Sequence, residues 1–204
     1  MNLSKNEYIA IVDYKCGNIN SIYRILRSLK KNVEISDKLE ILKYSKLIIL
    51  PGVGHYKRAI DILKKKNLYN FLKKTKIPIF GICLGMQILS EIGYEGGKTK
   101  GLNKIDGKVI KNKKNFNIGW LPVFYKKTNK LNFLKKYNNK YFYFNHGFKY
   151  LTKDKNVIIT SYIDREKINS LIYQKNVIGV QFHPEKSQII GKEFLRDILA
   201  FFKI

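Results

Sequence analysis

The chain has 204 residues, the size of one ordinary domain; at 45% hydrophobic and 27% charged it is too apolar to be disordered. No apolar run reaches the ~18 residues needed to cross a bilayer, and with Cys16 and Cys83 as the only cysteines a disulfide scaffold is excluded. The net charge of +25 comes from 35 Lys against only 5 Arg, spread along a chain with 19 Asn and 3 Ala. That is the residue usage of A/T-rich codons, and readers of phosphate and guanine favour the planar Arg fork, so the excess reads as a solvated basic surface with no nucleic-acid role. A polyanion or an acidic protein partner is the alternative. The opening segment, Met1 to Glu7, lacks the basic, apolar and small-residue order of a signal peptide, so a cytoplasmic location is expected, without membrane association.

Tyr8 to Val12 is a short apolar run ending at Asp13, the pattern of a buried parallel strand. After Gly17-Asn18, residues Ile19, Ile22, Ile25, Leu26 and Leu29 recur at helical spacing. Leu47 to Leu50 predicts a second buried strand, stopped by Pro51-Gly52, and Ile60, Leu63, Leu68 and Leu72 predict a helix beyond it. A third strand is expected over Ile77 to Ile82, then a helix over Leu84 to Ile92. This alternation implies a parallel sheet covered on both faces. The second half has short strand-like runs at Lys108 to Lys111, Tyr141 to Phe144, Val157 to Tyr162, Ile168 to Tyr173 and Val177 to Phe182, for which antiparallel pairing is expected. Lys111 to Asn117 and Lys126 to Lys140 read as exposed loop, and an amphipathic helix closes the chain from about Ile189. Without repeat or linker, residues 1–204 are expected to form a single α/β domain.

Gly81-Ile82-Cys83-Leu84-Gly85 stands where a buried strand meets a helix and has the form of a nucleophile elbow. Such a turn holds the thiol exposed above the sheet at a helix N-terminus, which favours thiolate, and sets the Leu84 amide to receive developing negative charge. The alternative is a buried cysteine serving as a small hydrophobe. A thiol nucleophile needs a base and the base an orienting group; Gln181-Phe182-His183-Pro184-Glu185 offers both, with His183 and Glu185 on one side of an extended segment. His55 and His146 are the rival bases. Pro51-Gly52-Val53-Gly54 follows the second strand and is expected beside the elbow as the other wall of an oxyanion site. No histidine has a ligand partner at zinc-like spacing, and neither metal nor cofactor is expected.

The elbow with Met86-Gln87, together with His183-Pro184-Glu185, resembles the class I (triad) glutamine amidotransferases. Within them, Asp13-Tyr14-x-x-Gly17-Asn18, Pro51-Gly52-Val53-Gly54-His55, Gly119-Trp120, Tyr141-Phe142-Tyr143-Phe144-x-His146 and His183-Pro184-Glu185-Lys186-Ser187 are similar to the glutaminase subunits of imidazole glycerol phosphate synthases. The resemblance implies a flavodoxin-like fold: an open, mixed, mainly parallel sheet flanked by helices, with antiparallel strands in the second half. It implies that Cys83 attacks the side-chain amide of glutamine, that His183 protonates the leaving ammonia and that Glu185 orients His183. Gly52, Val53 and Leu84 would supply the oxyanion backbone. Gln87 and Glu95 would hold glutamine, with His146, Gly147 and Phe148 beside the pocket. Trp120, Tyr143 and Lys186 would meet a (β/α)8-barrel cyclase (HisF-like) in a heterodimer, to which ammonia passes in histidine biosynthesis. Cys16 would have no catalytic role. The chain departs from the family at Phe116-Asn117-Ile118, Leu121, Asn145 and Gly147-Phe148. Two other functions stand beside this one: the same chemistry delivered to a sugar acceptor for surface polysaccharide, and a non-catalytic or polyanion-binding module, which the intact Cys83, His183 and Glu185 disfavour.

Overall fold

The computed structural model describes residues 8–113, 116–128 and 131–204; the Met1–Glu7 segment and parts of the two basic loops lie outside the described residues. Strand β1 (Ile9–Val12) is buried throughout. Its alternation sends Ile9 and Ile11 into one core and Ala10 and Val12 into the other, as a strand between two helical layers requires. Helix α1 (Ile19–Ser28) starts at Asn18, whose side-chain oxygen accepts the Ser21 N–H, and buries Ile22 and Leu26, four residues apart. Strand β2 (Val33–Ser36) and helix α2 (Leu39–Lys43) were not expected, because each buries only one residue, Val33 and Leu42. Strand β3 (Leu47–Leu50) matches its apolar run.

The helix expected next is two helices, α3 (Tyr56–Lys65) and α4 (Tyr69–Lys74), because Asn67 between them takes φ +59° and ends the first. Strand β4 (Ile79–Ile82) leads into α5 (Leu84–Gln87), which corrects the helix expected to run to Ile92. The carbonyls of Ile88, Leu89 and Ser90 accept from amides of residues 102–105 and so cannot continue the helix. Strands β5 (Ile92–Gly93), β6 (Thr99–Lys100) and β7 (Lys108–Lys111) follow.

Strand β8 (Asn117–Tyr125) occupies a region where no strand was expected. The stretch expected as exposed loop after it contains a 3-10 helix, Asn132–Tyr137, with Leu131, Leu134 and Tyr137 buried in the core, while Asn132, Lys135 and Lys136 stay outside. The remaining elements are β9 (Lys140–His146), β10 (Phe148–Leu151), β11 (Val157–Ile163), β12 (Glu166–Gln174), β13 (Val177–Val180) and α6 (Gln188–Phe201).

Nine strands form one sheet in the order β2-β1-β3-β4-β13-β12-β11-β8-β9. The neighbours from β2 to β13 are parallel and those from β13 to β9 antiparallel, so the chain's halves join where β13 lies parallel to β4. A second sheet, β10-β7-β5-β6, stands beside it. One core lies under α3, α4 and α5. The other holds α1, α6 and a ring cluster of Tyr137, Phe142, Phe144, Phe182 and Phe194, with Phe142 and Phe182 centroids 4.3 Å apart. That cluster fixes the residue preceding His183. The carboxyl ends of β3, β4 and β13 come together at one edge, where a ligand site is expected in an open α/β sheet.

Candidate active site

Cys83 lies between β4 and α5 with φ +52° and ψ −107°, a strained backbone for a residue with a side chain. The glycines around it are required by contact. A Cβ on Gly81 would stand 2.7 Å from the Gly85 carbonyl oxygen, and one on Gly85 would stand 1.8 Å from the carbonyl oxygen of Leu50 in β3. This is the elbow that the spacing predicts. Because α5 has only four residues, its macrodipole contributes little to the thiolate.

The sulfur meets three groups. As a thiol it donates to the Asn145 carbonyl at 3.6 Å, and Gln181 Nε2 donates to it at 3.6 Å. The third is the His183 imidazole. His183 Nε2 has no partner within hydrogen-bond geometry, and its attraction to the sulfur is that of an imidazolium for the ionised thiol. Burial opposes the imidazolium, but the Cys83 and Glu185 side chains outweigh it and push the His183 pKa up to about 10. On the other side of the ring, Nδ1 is 2.7 Å from Glu185 Oε1. The second carboxylate oxygen, Oε2, is buried without a partner, so the carboxylate is committed to the imidazole.

The route by which Glu185 reaches His183 differs from the extended segment expected. His183 is extended, but Pro184–Lys186 form a 3-10 turn, with Pro184 at its first position, that folds Glu185 back onto the ring. Gly191 makes this packing possible, since a Cβ there would lie 1.9 Å from the Pro184 carbonyl oxygen. Ser187 Oγ donates to the His183 carbonyl at 2.7 Å and accepts the Tyr143 N–H at 3.0 Å, while the His183 N–H donates to the Tyr143 carbonyl at 2.8 Å. The His183 backbone is thereby held to β9 on both sides.

A pocket of about 220 Å³ opens at the sulfur, lined by Val53, Gly54, Leu84, Gln87, Glu95, Phe116, Asn145, His146, Gly147 and Phe148. Such a volume suits a small metabolite better than the ligands that fill sites of ~300–1,000 Å³. All five residues that the resemblance places at the substrate are on its wall. Glu95 Oε2 also accepts the Tyr56 N–H at 2.7 Å, which fixes its carboxylate at the start of α3. Of the rival bases, His55 packs on the Gly96 turn, where a Cβ would lie 2.2 Å from its ring, and lines a separate surface hollow. His146 is buried and donates from Nδ1 to the Phe148 carbonyl at 2.9 Å, with Nε2 unpartnered. Burial, with a smaller contribution from His183, holds its pKa down at about 4 against the help of the Phe148 carbonyl, so it stays neutral.

This neutral histidine has a consequence for acid stability. An imidazole with a depressed folded pKa causes no loss of stability above about 6.5, and the unfolded chain takes up its proton first as pH falls toward 4. Stability is therefore present above pH 6.5 and lost between 6.5 and 4, by up to roughly 3 kcal/mol. Urea unfolding at pH 7 and 4.5 should show a smaller pH-dependent loss in His146→Phe than in the parent chain; equal losses would contradict the assignment.

The Pro51–Gly54 loop lies against the elbow. A Cβ on Gly52 would meet Leu84 Cβ at 2.7 Å, and the buried Tyr14 hydroxyl donates to the Pro51 carbonyl. The Leu84 N–H, however, already donates to the Gly52 carbonyl at 3.4 Å. The Gly52–Val53 peptide is trans, so its N–H points the opposite way from that carbonyl. In this geometry the Leu84 N–H is therefore occupied and the Val53 N–H is directed away from it.

Outside the pocket, β8 and β9 carry an apolar outer face. Ile118, Trp120 and Pro122 pair with Asn145, Tyr143 and Tyr141 across the ladder, and Ile118, Trp120 and Tyr141 are exposed. Trp120 meets Tyr143 edge-on at 6.0 Å, and Lys186 Nζ sits 5.5 Å above the Tyr143 ring. The three residues that the resemblance assigns to a partner contact are thus adjacent. Among the described residues, no cluster of three or more potential metal ligands occurs and no helix is long and apolar enough to span a membrane.

A strained cysteine, a histidine bonded to a carboxylate and a small pocket form a site with the groups that thiol-dependent acyl transfer requires, and the chain belongs to the glutamine amidotransferase class-I family, whose model matches residues 10–200. It is 34% identical over 205 residues to the imidazole glycerol phosphate synthase subunit HisH of Pelagibacter ubique (strain HTCC1062), covering 94% of this chain and 98% of that one. It is 37% identical over 197 residues to the HisH subunit of Lactococcus lactis subsp. lactis (strain IL1403), covering 94% and 97%. In fold it is similar to a chain of PurLQS from Thermotoga maritima, with TM-score 0.67, 21% identity and coverage of 97% and 99%. Gln181 and Ser187 were not among the candidate site residues. The signal for Gln181 was its place two residues before His183, on the same face of an extended segment.

Proposed function

We propose that this chain is the glutaminase subunit of an imidazole glycerol phosphate synthase, acting in histidine biosynthesis as a single amidotransferase domain over residues 1–204. The observation that carries the chemistry is the Glu185 carboxylate bonded to the His183 imidazole, which acts on Cys83 in the wall of the 220 Å³ pocket. Cys83 Sγ attacks the side-chain carbonyl carbon of glutamine, and the carbonyl π electrons move to oxygen. The C–N bond breaks as His183 gives its Nε2 proton to the leaving nitrogen, which departs as ammonia and leaves a thioester. Water then attacks the thioester carbonyl, His183 takes the water proton, and the C–S bond breaks to give glutamate and the restored thiolate. Gln87 and Glu95 hold the amino-acid end, beside His146, Gly147 and Phe148.

The oxyanion would be received by the N–H groups of Val53 and Leu84 after rotation of the Gly52–Val53 peptide, a single movement that frees one donor and delivers the other. The outer face of exposed Ile118, Trp120 and Tyr141 and half-buried Tyr143, with Lys186 at its border, is the docking surface for a cyclase subunit. That partner is a (β/α)8 barrel, the assembly a heterodimer in the cytoplasm, and ammonia passes through the barrel. The +25 charge of the chain needs no nucleic acid in this reading.

The test is glutamate release from glutamine with and without the cyclase and its phosphorylated ribonucleotide ligand. With one oxyanion donor occupied and the other turned away, the isolated chain should be slower by about 10²–10³-fold or more than the liganded complex, since one lost donor costs about that much. Full activity of the chain alone would refute the closed oxyanion site. Indifference to that cyclase, with activation by a saccharide-pathway partner, would move the acceptor to a sugar.

A further inference from the structure

We propose that Gln181 is a catalytic residue of this site, whose side-chain Nε2 donates a hydrogen bond to the Cys83 sulfur and favours the thiolate for attack. The inference rests on Cys83 being the nucleophile. Gln181 is 0% exposed, and its own N–H donates to the Ser170 carbonyl at 2.9 Å, so the side chain starts from a fixed backbone. Its Nε2 lies 3.6 Å from the sulfur. Its Oε1 accepts from Gln87 Nε2 at 3.2 Å, and Gln87 Nε2 also donates to the Phe148 carbonyl at 3.0 Å. Turning the Gln181 amide over would set two NH₂ groups against each other and an oxygen against the sulfur, so this network imposes the orientation that presents a donor to Cys83.

The sulfur's two hydrogen-bond neighbours are opposite in effect. The Asn145 carbonyl at 3.6 Å can only accept, which favours the protonated thiol; Gln181 Nε2 donates, which favours the ionised sulfur. With α5 too short to stabilise an anion, Gln181 and the imidazolium of His183 are what the site offers the thiolate. The titratable groups facing the sulfur are His183, on the turn after β13, and the buried Tyr14 phenol after β1, with Glu185 behind His183. Substitution at Gln181 leaves all of these in place. Because Gln87 lines the pocket, a ligand held there is also linked to the sulfur through one amide.

The experiment is the rate of alkylation of Cys83 by iodoacetamide between pH 5 and 10, read at the Cys83 peptide by mass spectrometry so that Cys16 does not contribute. Glutamine turnover is followed alongside. Gln181→Met removes the donor at similar volume. Gln181→Glu keeps the acceptor for Gln87 and puts an oxygen against the sulfur. In whichever variant retains cooperative unfolding, alkylation at pH 7 should fall roughly ten- to hundredfold, the factor one hydrogen bond to a charged group carries. The pH profile should move upward while its high-pH plateau stays unchanged, and turnover should fall in parallel. An unmoved alkylation profile in a folded variant overturns the proposal, whether or not turnover is lost, because Gln181 would then act on the ligand or the fold. Alkylation needs no glutamine, so a displaced profile supports the donor role even if the chain proves not to hydrolyse glutamine.

Discussion

Cys83→Ala is expected to abolish glutamine hydrolysis, lowering turnover by about 10⁶-fold, the scale seen when a nucleophile is removed from a triad that acts as a unit. Cys83→Ser should be nearly as inactive, since a hydroxyl is far harder to ionise than a thiol and the pair with His183 would not form. The loss should come without unfolding. Sγ makes two long hydrogen bonds, to Asn145 and Gln181, and their removal costs on the order of 1 kcal/mol. The backbone offers a sharper check. At φ +52° a side chain is strained, so Cys83→Gly should unfold at a higher temperature than the parent while being equally inactive. Glutamate production and thermal denaturation measure both quantities. Residual turnover in the alanine variant would remove the elbow from the mechanism.

Glu185→Gln should lower kcat by about 10²–10⁴-fold and change KM by only a few-fold. Glu185 lies behind the imidazole and does not line the pocket, the position of a group proposed to orient the base without holding substrate. An amide at that position removes the charge that helps raise the His183 pKa to about 10, and it can present either an oxygen or an NH₂ to Nδ1. The pH dependence of turnover should move with it: the protonated imidazole would be lost at lower pH. The same charge has a stability counterpart. A histidine whose folded pKa is raised from 6.5 to about 10 contributes stability that is complete below 6.5 and fades as pH rises toward 10, and that alkaline loss should be smaller in the variant. A raised KM with unchanged kcat would make Glu185 a binding residue.

What could be seen in the sequence follows from how completely an element is buried. Leu47–Leu50 and Ile79–Ile82 lie within apolar runs because both faces of those strands are covered, and their order already implied a parallel sheet. Strand β2 was invisible because only Val33 needs to be apolar. Strand β8 was hidden for the opposite reason: its outer residues Ile118, Trp120 and Pro122 are apolar as well, which erases the alternation that marks a half-buried strand. Leu84, Ile88 and Leu89 have helical spacing, yet the helix stops at Gln87 because amides distant in sequence take its next carbonyls. At the site, the elbow at Cys83 and the pairing of His183 with Glu185 were legible from chemistry and spacing. The orientation of the Gly52–Val53 peptide was not, because both orientations use the same residues.

Strand β9 carries its outer and inner duties on alternate residues. Tyr141 and Tyr143 lie on the outer face, while Phe142, Phe144 and His146 are buried. A single inserted or deleted residue within it would exchange the two sets. The rings that support Phe182 would enter solvent, the tyrosines would be driven into the core, and the backbone groups that grip His183 would fall out of register. This segment can therefore vary in side chain but not in length, and the space available for a partner and the position of the base must be inherited together.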